Sequence, residues 1–332
     1  MCYKQEKHKG LTVTLSEKLK EVPDFIADFF DRYKSAVTKN CNWGYIRDLL
    51  QWLIEKRYIE KDSISQITKE DMDKITCNHI IKYLDELNLG ITGRKNSLDS
   101  ICTKKNVFSA FWSYMNYNEY VRKNIIMGIP RDKYKSESAD DKEVFVPTDE
   151  QVEEFLCRLN DGNNNEFNII RNLAIVKLIM GSGIRSEELI NMDIGDLFLD
   201  GDRPYIKILG KGNKEHYTDV AINPSIIGYL KDYLVYREIY LRDNNVESDA
   251  LFISNERKRM SKKAIASFFE RYSNGVIFPH ALRHWVGTKL YEQTNDIIKV
   301  QKQLRHKSLE TAAKYYVHVS KDDVADAMAN LF

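Results

Sequence analysis

Four short segments in the C-terminal half hold residues whose types and spacing suit binding of an anion and attack on it. In GSGIRSEELINMDIGDL, Gly181 and Gly183 end one helix and Arg185 opens the next, so its guanidinium lies near N-terminal amides, where negative charge is favoured. In the turn Gly210-Lys211-Gly212-Asn213, a lysine flanked by glycines can reach over a bound ligand. In FPHALRHWVGTKL, His280 and Arg283 stand three apart and share one helix face. In LRHKSLETAAKYYVHV, His306 precedes the pair Tyr315 and Tyr316. Each residue also has a plain structural role open to it: Arg185 can pair with Glu187 or Glu188, Lys211 can be solvated, His280 can be a satisfied core histidine, and the tyrosines can be packing aromatics. Their joint order and spacing singles them out. Arginines clamp oxyanions through paired N–H donors without losing charge, and a phenol attacks once cations or a base ease its deprotonation.

The elements that must position these residues read as mainly α with a small β-sheet. Residues 1–16 form a short N-terminal arm, and 17–128 a helical unit. VPDFIADFFDRYKSAV places Phe25, Ile26, Phe29, Phe30 and Tyr33 at helical spacing, and WGYIRDLLQWLIEKRYI does the same with Ile46, Leu49, Leu50, Leu53 and Ile54. Thr68 is an N-cap with Asp71 three residues on. NHIIKYLDELN stops near Gly90, and TKKNVFSAFWSYMNYNEYV is a further aromatic-rich helix. Most of these aromatics belong to a bundle core, while Lys95, Lys104 and Lys105 are candidates for phosphate contact. Residues 129–147 are polar, charged and bounded by prolines, and read as a linker. In 148–332, Thr148 and Gln151 open a capped helix, Phe167–Met180 is strongly apolar, and Tyr205–Leu209 and Glu215–Val220 alternate as strands around the Lys211 turn. Helices return from Asn223, ending with Val324, Met328 and Leu331 at helical spacing.

A chain of 332 residues favours two domains. No run approaches the roughly 20 apolar residues of a membrane span, and MCYKQEKHKG lacks a signal's apolar core; the expectation is a cytoplasmic protein. Cys2, Cys41, Cys77, Cys102 and Cys157 are odd in number and widely spaced, which suits neither a disulfide framework nor a zinc site. No metal or cofactor is expected. G-x-G-x-x-G, G-x-x-x-x-G-K-[ST] and G-x-S-x-G are all absent, which argues against a nucleotide-binding or serine-elbow enzyme. Net charge is +1, with 25 Lys/Arg against 22 Asp/Glu in residues 1–147 and 25 against 27 beyond. Neither half is a basic tail, so a polyanionic partner requires cations gathered on one face.

With these residues in view, the chain resembles the tyrosine recombinase (phage integrase) family. G-x-R-x-x-E-L, G-K-G-N-K-E, H-x-L-R-H and L-R-H-K-S-L-E-T…Y look like its motif boxes, over about residues 148–320. The N-terminal helical unit matches the family's core-binding domain in size and position only. The resemblance implies a helical-bundle core-binding domain before an α+β catalytic domain, the simple two-domain type of the Xer, Cre and transposon integrases. Residues 1–16 are too few for an extra arm-binding domain.

On that resemblance Arg185, Lys211, His280, Arg283 and His306 take the catalytic places. Arg185, Arg283 and His306 would stabilise the phosphate, His280 would serve as base, and Lys211 would protonate the leaving 5′ oxygen. The implied reaction is tyrosine attack on DNA at a specific site, giving a 3′-phosphotyrosine. Strand exchange through a Holliday junction and rejoining without ATP or metal follow, in the integration, excision or transposition of a mobile element. Nine residues after His306 stands Tyr315; the Y-x-H-V ending selects Tyr316, which is the preferred nucleophile. Arg305 stands where the family usually has glycine, and Ala312 follows Thr311 where it often has a second threonine. The implied partners are double-stranded DNA, further copies of the chain in a tetramer of two dimers, and accessory DNA-bending or directionality proteins. The C-terminal helix packs on a neighbouring protomer or in cis. Two alternatives stay open: a type IB topoisomerase-like nicking-resealing enzyme, and a DNA-binding module without catalysis.

Overall fold

The structure, a computed structural model, describes residues 3–93, 95–134, 144–161, 165–209, 217–306 and 308–316. The chain divides into two compact units, Met1–Lys142 and Glu143–Phe332.

The first unit is helical: α1 (Tyr3–Leu19), α2 (Asp24–Ala27, continued by a 3-10 turn to Arg32), α3 (Ala36–Glu55), α4 (Lys69–Asp73), α5 (Cys77–Leu89) and α6 (Leu98–Tyr117). Its helix ends follow local chemistry. Thr68 and Asp71 form the reciprocal capping box at the start of α4, and Gly90 closes α5 in the left-handed conformation. The aromatic positions converge as a core, with Phe29 meeting Phe30 and Phe111 edge-on at 5.2 Å. Two boundaries differ from the sequence reading. Residues 3–16, expected within a short arm, are helical, and α1 buries Leu15 in this core. Ile129 and Tyr134, expected in the linker, are buried in the same core. The Tyr134 hydroxyl donates to Asp85 Oδ1 at 2.8 Å, so the first unit extends to at least Tyr134.

In the second unit α7 (Asp149–Asp161) and α8 (Glu166–Ser182) lead to the short α9 (Ser186–Ile190). Thr148 and Gln151 cap α7 reciprocally. A sheet follows, β1 (Leu197–Phe198), β2 (Tyr205–Leu209) and β3 (Tyr217–Ala221), all antiparallel in that order. Ile206 and Ile208 face inward, as the alternation demands. Strand β1 was not foreseen: two residues carry no alternation to read. Then come α10 (Ile227–Asp243), α11 (Lys262–Ser273), α12 (Pro279–Thr294), α13 (Ile297–Leu304) and α14 (Leu309–Tyr316). Helix α8 runs through the core, with Ala174, Ile175, Val176, Leu178 and Ile179 fully enclosed. Gly183 ends it at φ 65°, where an added Cβ would lie 2.4 Å from Leu304 Cδ2. Glycine takes that turn without strain and leaves room for Leu304 of α13. None of the described helices is long and apolar enough to cross a membrane. The turn bearing Lys211, and Val324, Met328 and Leu331, lie outside the described residues.

Candidate active site

Three helix ends meet beneath Gly183. Arg283, on the first turns of α12, is 1% exposed and donates through Nη1 to the Gly183 carbonyl and through Nη2 to the Leu304 carbonyl. One planar fork thus ties the end of α8 to the end of α13. Arg185 lies at the α8–α9 junction, half-exposed. Its Nη1 meets Glu188 Oε1 at 2.9 Å and its Nη2 meets the Arg305 carbonyl at 3.1 Å. The carbonyls of residues 304 and 305 therefore each receive one of the two arginines. His306 follows them directly, half-buried, with Nδ1 enclosed and without a hydrogen-bond partner among the described residues. His280 sits one turn before Arg283 with its ring edge against His284, centroids 4.5 Å apart.

Tyr316 ends α14 and is 3% exposed. It packs in a small apolar cluster with Val300, Leu304 and Ala312. Its hydroxyl meets His284 Nδ1 at 3.1 Å and its ring lies parallel to His306, centroids 5.9 Å apart. The ring rests on bare backbone at Gly287, where a Cβ would lie 2.4 Å from Cζ. The side chain of Tyr315 lies outside the described residues.

The sequence matches the model of the phage integrase family over residues 147–323. The chain belongs to that family. The tyrosine recombinase XerD of Staphylococcus epidermidis is 25% identical over 301 residues, covering 89% of this chain and 93% of that one. A tyrosine recombinase of Agathobacter rectalis is 29% identical over 283 residues, covering 80% and 85%. Among solved structures, the XerH site-specific recombinase bound to palindromic difH substrate in a post-cleavage complex has a TM-score of 0.64 at 24% identity. It covers 89% of this chain and 80% of that one, a likeness of fold.

In this tyrosine-type site-specific recombinase the histidines are held neutral. Burial, then His280, Arg283 and His306, push His284 down to about 4. Burial, then Arg283 and Arg185, push His306 down to about 4, and His280 is lowered for the same reasons. A depressed histidine leaves stability intact above its unfolded pKa near 6.5 and loses it as pH falls toward the folded value. For His284, 5% exposed, the loss reaches about 3 kcal/mol by pH 4. Urea midpoints at pH 7.5 and 4.5 should show it, and His284→Gln should shrink the difference, leaving the part that His306 and His280 contribute. An unchanged slope in that variant would remove His284 as the acid-sensitive group.

The first unit treats its three candidate lysines differently. Lys105 is buried and donates to the Pro130 and Arg131 carbonyls, which commits it to holding the end of that unit. Lys104 donates to Asn96 Oδ1 at 2.9 Å and burial lowers its pKa. Lys95 is exposed. The sequence reading passed over His284, although it stands in H-x-L-R-H, and treated Arg305 as a departure without a role; the structure puts both among the site's groups. Among the described residues no cluster of His, Cys, Asp or Glu is placed to hold a metal ion.

Proposed function

We propose that this recombinase breaks a DNA phosphodiester by tyrosine attack at phosphorus. The P–O5′ bond breaks, a 3′-phosphotyrosine forms, and a 5′ hydroxyl later reverses the step, so rejoining needs no outside energy. One observation carries this reading. Arg185, Arg283 and Arg305 gather with His280, His284 and His306, and Glu188 is the carboxylate among them in the described residues. That excess of positive charge suits a phosphate whose oxygens gain negative charge in the transition state. Arg185 is the solvent-reached arm of the clamp, Arg283 adds charge from beneath, and His306 adds a donor. Neutral His280 can accept the phenol proton. Lys211, outside the described residues, takes the role of acid to the 5′ oxygen by its place in the motif.

Tyr315 is the better supported nucleophile, because the Tyr316 hydroxyl is already engaged by His284 and its ring is enclosed over Gly287. Tyr316 keeps one point in its favour: its ring lies alongside His306. The wider reading is strand exchange at a specific duplex site through a Holliday junction, in a tetramer of two dimers acting on a mobile element in the cytoplasm. The first unit grips the DNA, with accessory DNA-bending or directionality proteins as further partners. The test uses a nicked suicide duplex carrying the site that this protein selects from randomised DNA. Wild type should form a denaturant-resistant adduct at the 3′ end and release a 5′-hydroxyl fragment. No adduct from wild type on its own selected site would overturn the reading.

A further inference from the structure

The residue before His306 does more than replace a glycine. Arg305 has φ 54°, the left-handed conformation that closes α13, where glycine is free and an L side chain is strained. Its side chain nevertheless turns inward, 14% exposed, and donates through Nη2 to Glu188 Oε2 at 2.7 Å and through Nη1 to the Gln303 carbonyl at 2.7 Å. Glu188 is 16% exposed and is the same carboxylate that Arg185 engages, through Nη1 on Oε1 and through its own backbone N–H on Oε2 at 2.9 Å. Without Arg305, Arg185 and Glu188 would form a closed pair whose charges cancel. With it, two guanidiniums share one carboxylate and the group keeps a net positive charge.

We propose that Arg305 is a positioning residue of the phosphate clamp: it occupies one oxygen of Glu188, leaving Arg185 its charge for the scissile phosphate. It also acts through its backbone, because the left-handed turn aims the Arg305 carbonyl at Arg185 Nη2. Glu188 stays ionised despite its burial, with Arg305 the strongest influence holding its proton off. The charge balance therefore holds through neutral pH.

The inference rests on Arg185 acting as clamp, and the experiment separates the two. Single-turnover adduct formation on the nicked suicide duplex would be compared for wild type, Arg305→Gly, Arg305→Lys, Glu188→Gln, Arg305→Gly with Glu188→Gln, and Arg185→Gln. Thermal melts report folding, and Arg305→Gly should fold, since glycine suits that backbone. Arg305→Gly should slow cleavage about tenfold with duplex affinity little changed. Arg305→Lys should keep most of the rate. Adding Glu188→Gln to Arg305→Gly should restore cleavage, because removing the negative charge offsets the lost positive one; a purely packing role gives no such rescue. Wild-type cleavage by Arg305→Gly, or a double variant as slow as Arg305→Gly, overturns the inference. Wild-type cleavage by Arg185→Gln removes the clamp itself.

Discussion

Tyr315→Phe is expected to abolish the covalent protein–DNA adduct, while Tyr316→Phe leaves it forming within about tenfold of the wild-type rate. The first expectation follows from balance at phosphorus: with no phenol oxygen there is no bond to form, and the loss is complete rather than graded. The second follows from what Tyr316 does in the fold. Its hydroxyl meets His284 and its ring fills the space over Gly287 between α12 and α14. Phenylalanine keeps the ring and loses the hydrogen bond to His284, about 1 kcal/mol. Tyr316→Ala would instead open a cavity in the cluster with Val300 and Leu304, costing about 3–5 kcal/mol. It would loosen the helix on which the nucleophile stands. Adduct formation on the suicide duplex, with thermal melts alongside, separates the outcomes. If Tyr316→Phe is the silent variant, Tyr316 attacks, and its ring must leave the Gly287 seat to do so. Adduct from both variants would sink the assignment of the nucleophile to one of this pair.

The parts of this molecule legible in its sequence are those set by short-range chemistry. Thr68 with Asp71, Thr148 with Gln151, and Gly90 mark helix ends because a cap needs only three or four neighbouring residues. Ile206 and Ile208 declare their inward face by alternation. The segments around Arg185, Arg283 and His306 could be picked out, but not how they join: the ties run from Arg283 to Gly183 and Leu304, and from Arg185 to Arg305, across 100 residues or more in two of the three cases. Lys105 looked like a surface lysine because its burial depends on Pro130 and Arg131 returning to cover it. For the same reason Arg305 could be seen only as a missing glycine. Its partner, Glu188, lies 117 residues away and was legible only as a local partner of Arg185.

Arg283→Lys should retain the formal charge and still lose on the order of 10² in single-turnover cleavage, the scale of a clamp shifted by about an ångström, because the groups it ties lose their common anchor. Arg283 acts as a fork. Nη1 holds the end of α8 at Gly183 and Nη2 holds the end of α13 at Leu304, the residue immediately before Arg305 and two before His306. A lysine ends in a single nitrogen on a flexible stem and cannot span both carbonyls in one plane. One of them is left buried without a donor, at about 1–3 kcal/mol of stability. The Gly183 side of the broken tie frees the junction that carries Arg185. The Leu304 side frees the turn that carries Arg305 and His306. A charge that acted only as a point would survive the exchange, so the comparison tests geometry against charge. Duplex affinity should change far less than the cleavage rate, because the clamp works mainly on charge that develops in the transition state. If Arg283→Lys cleaves within tenfold of wild type while still folded, Arg283 contributes charge alone, and the fork is a structural tie without consequence for the phosphate.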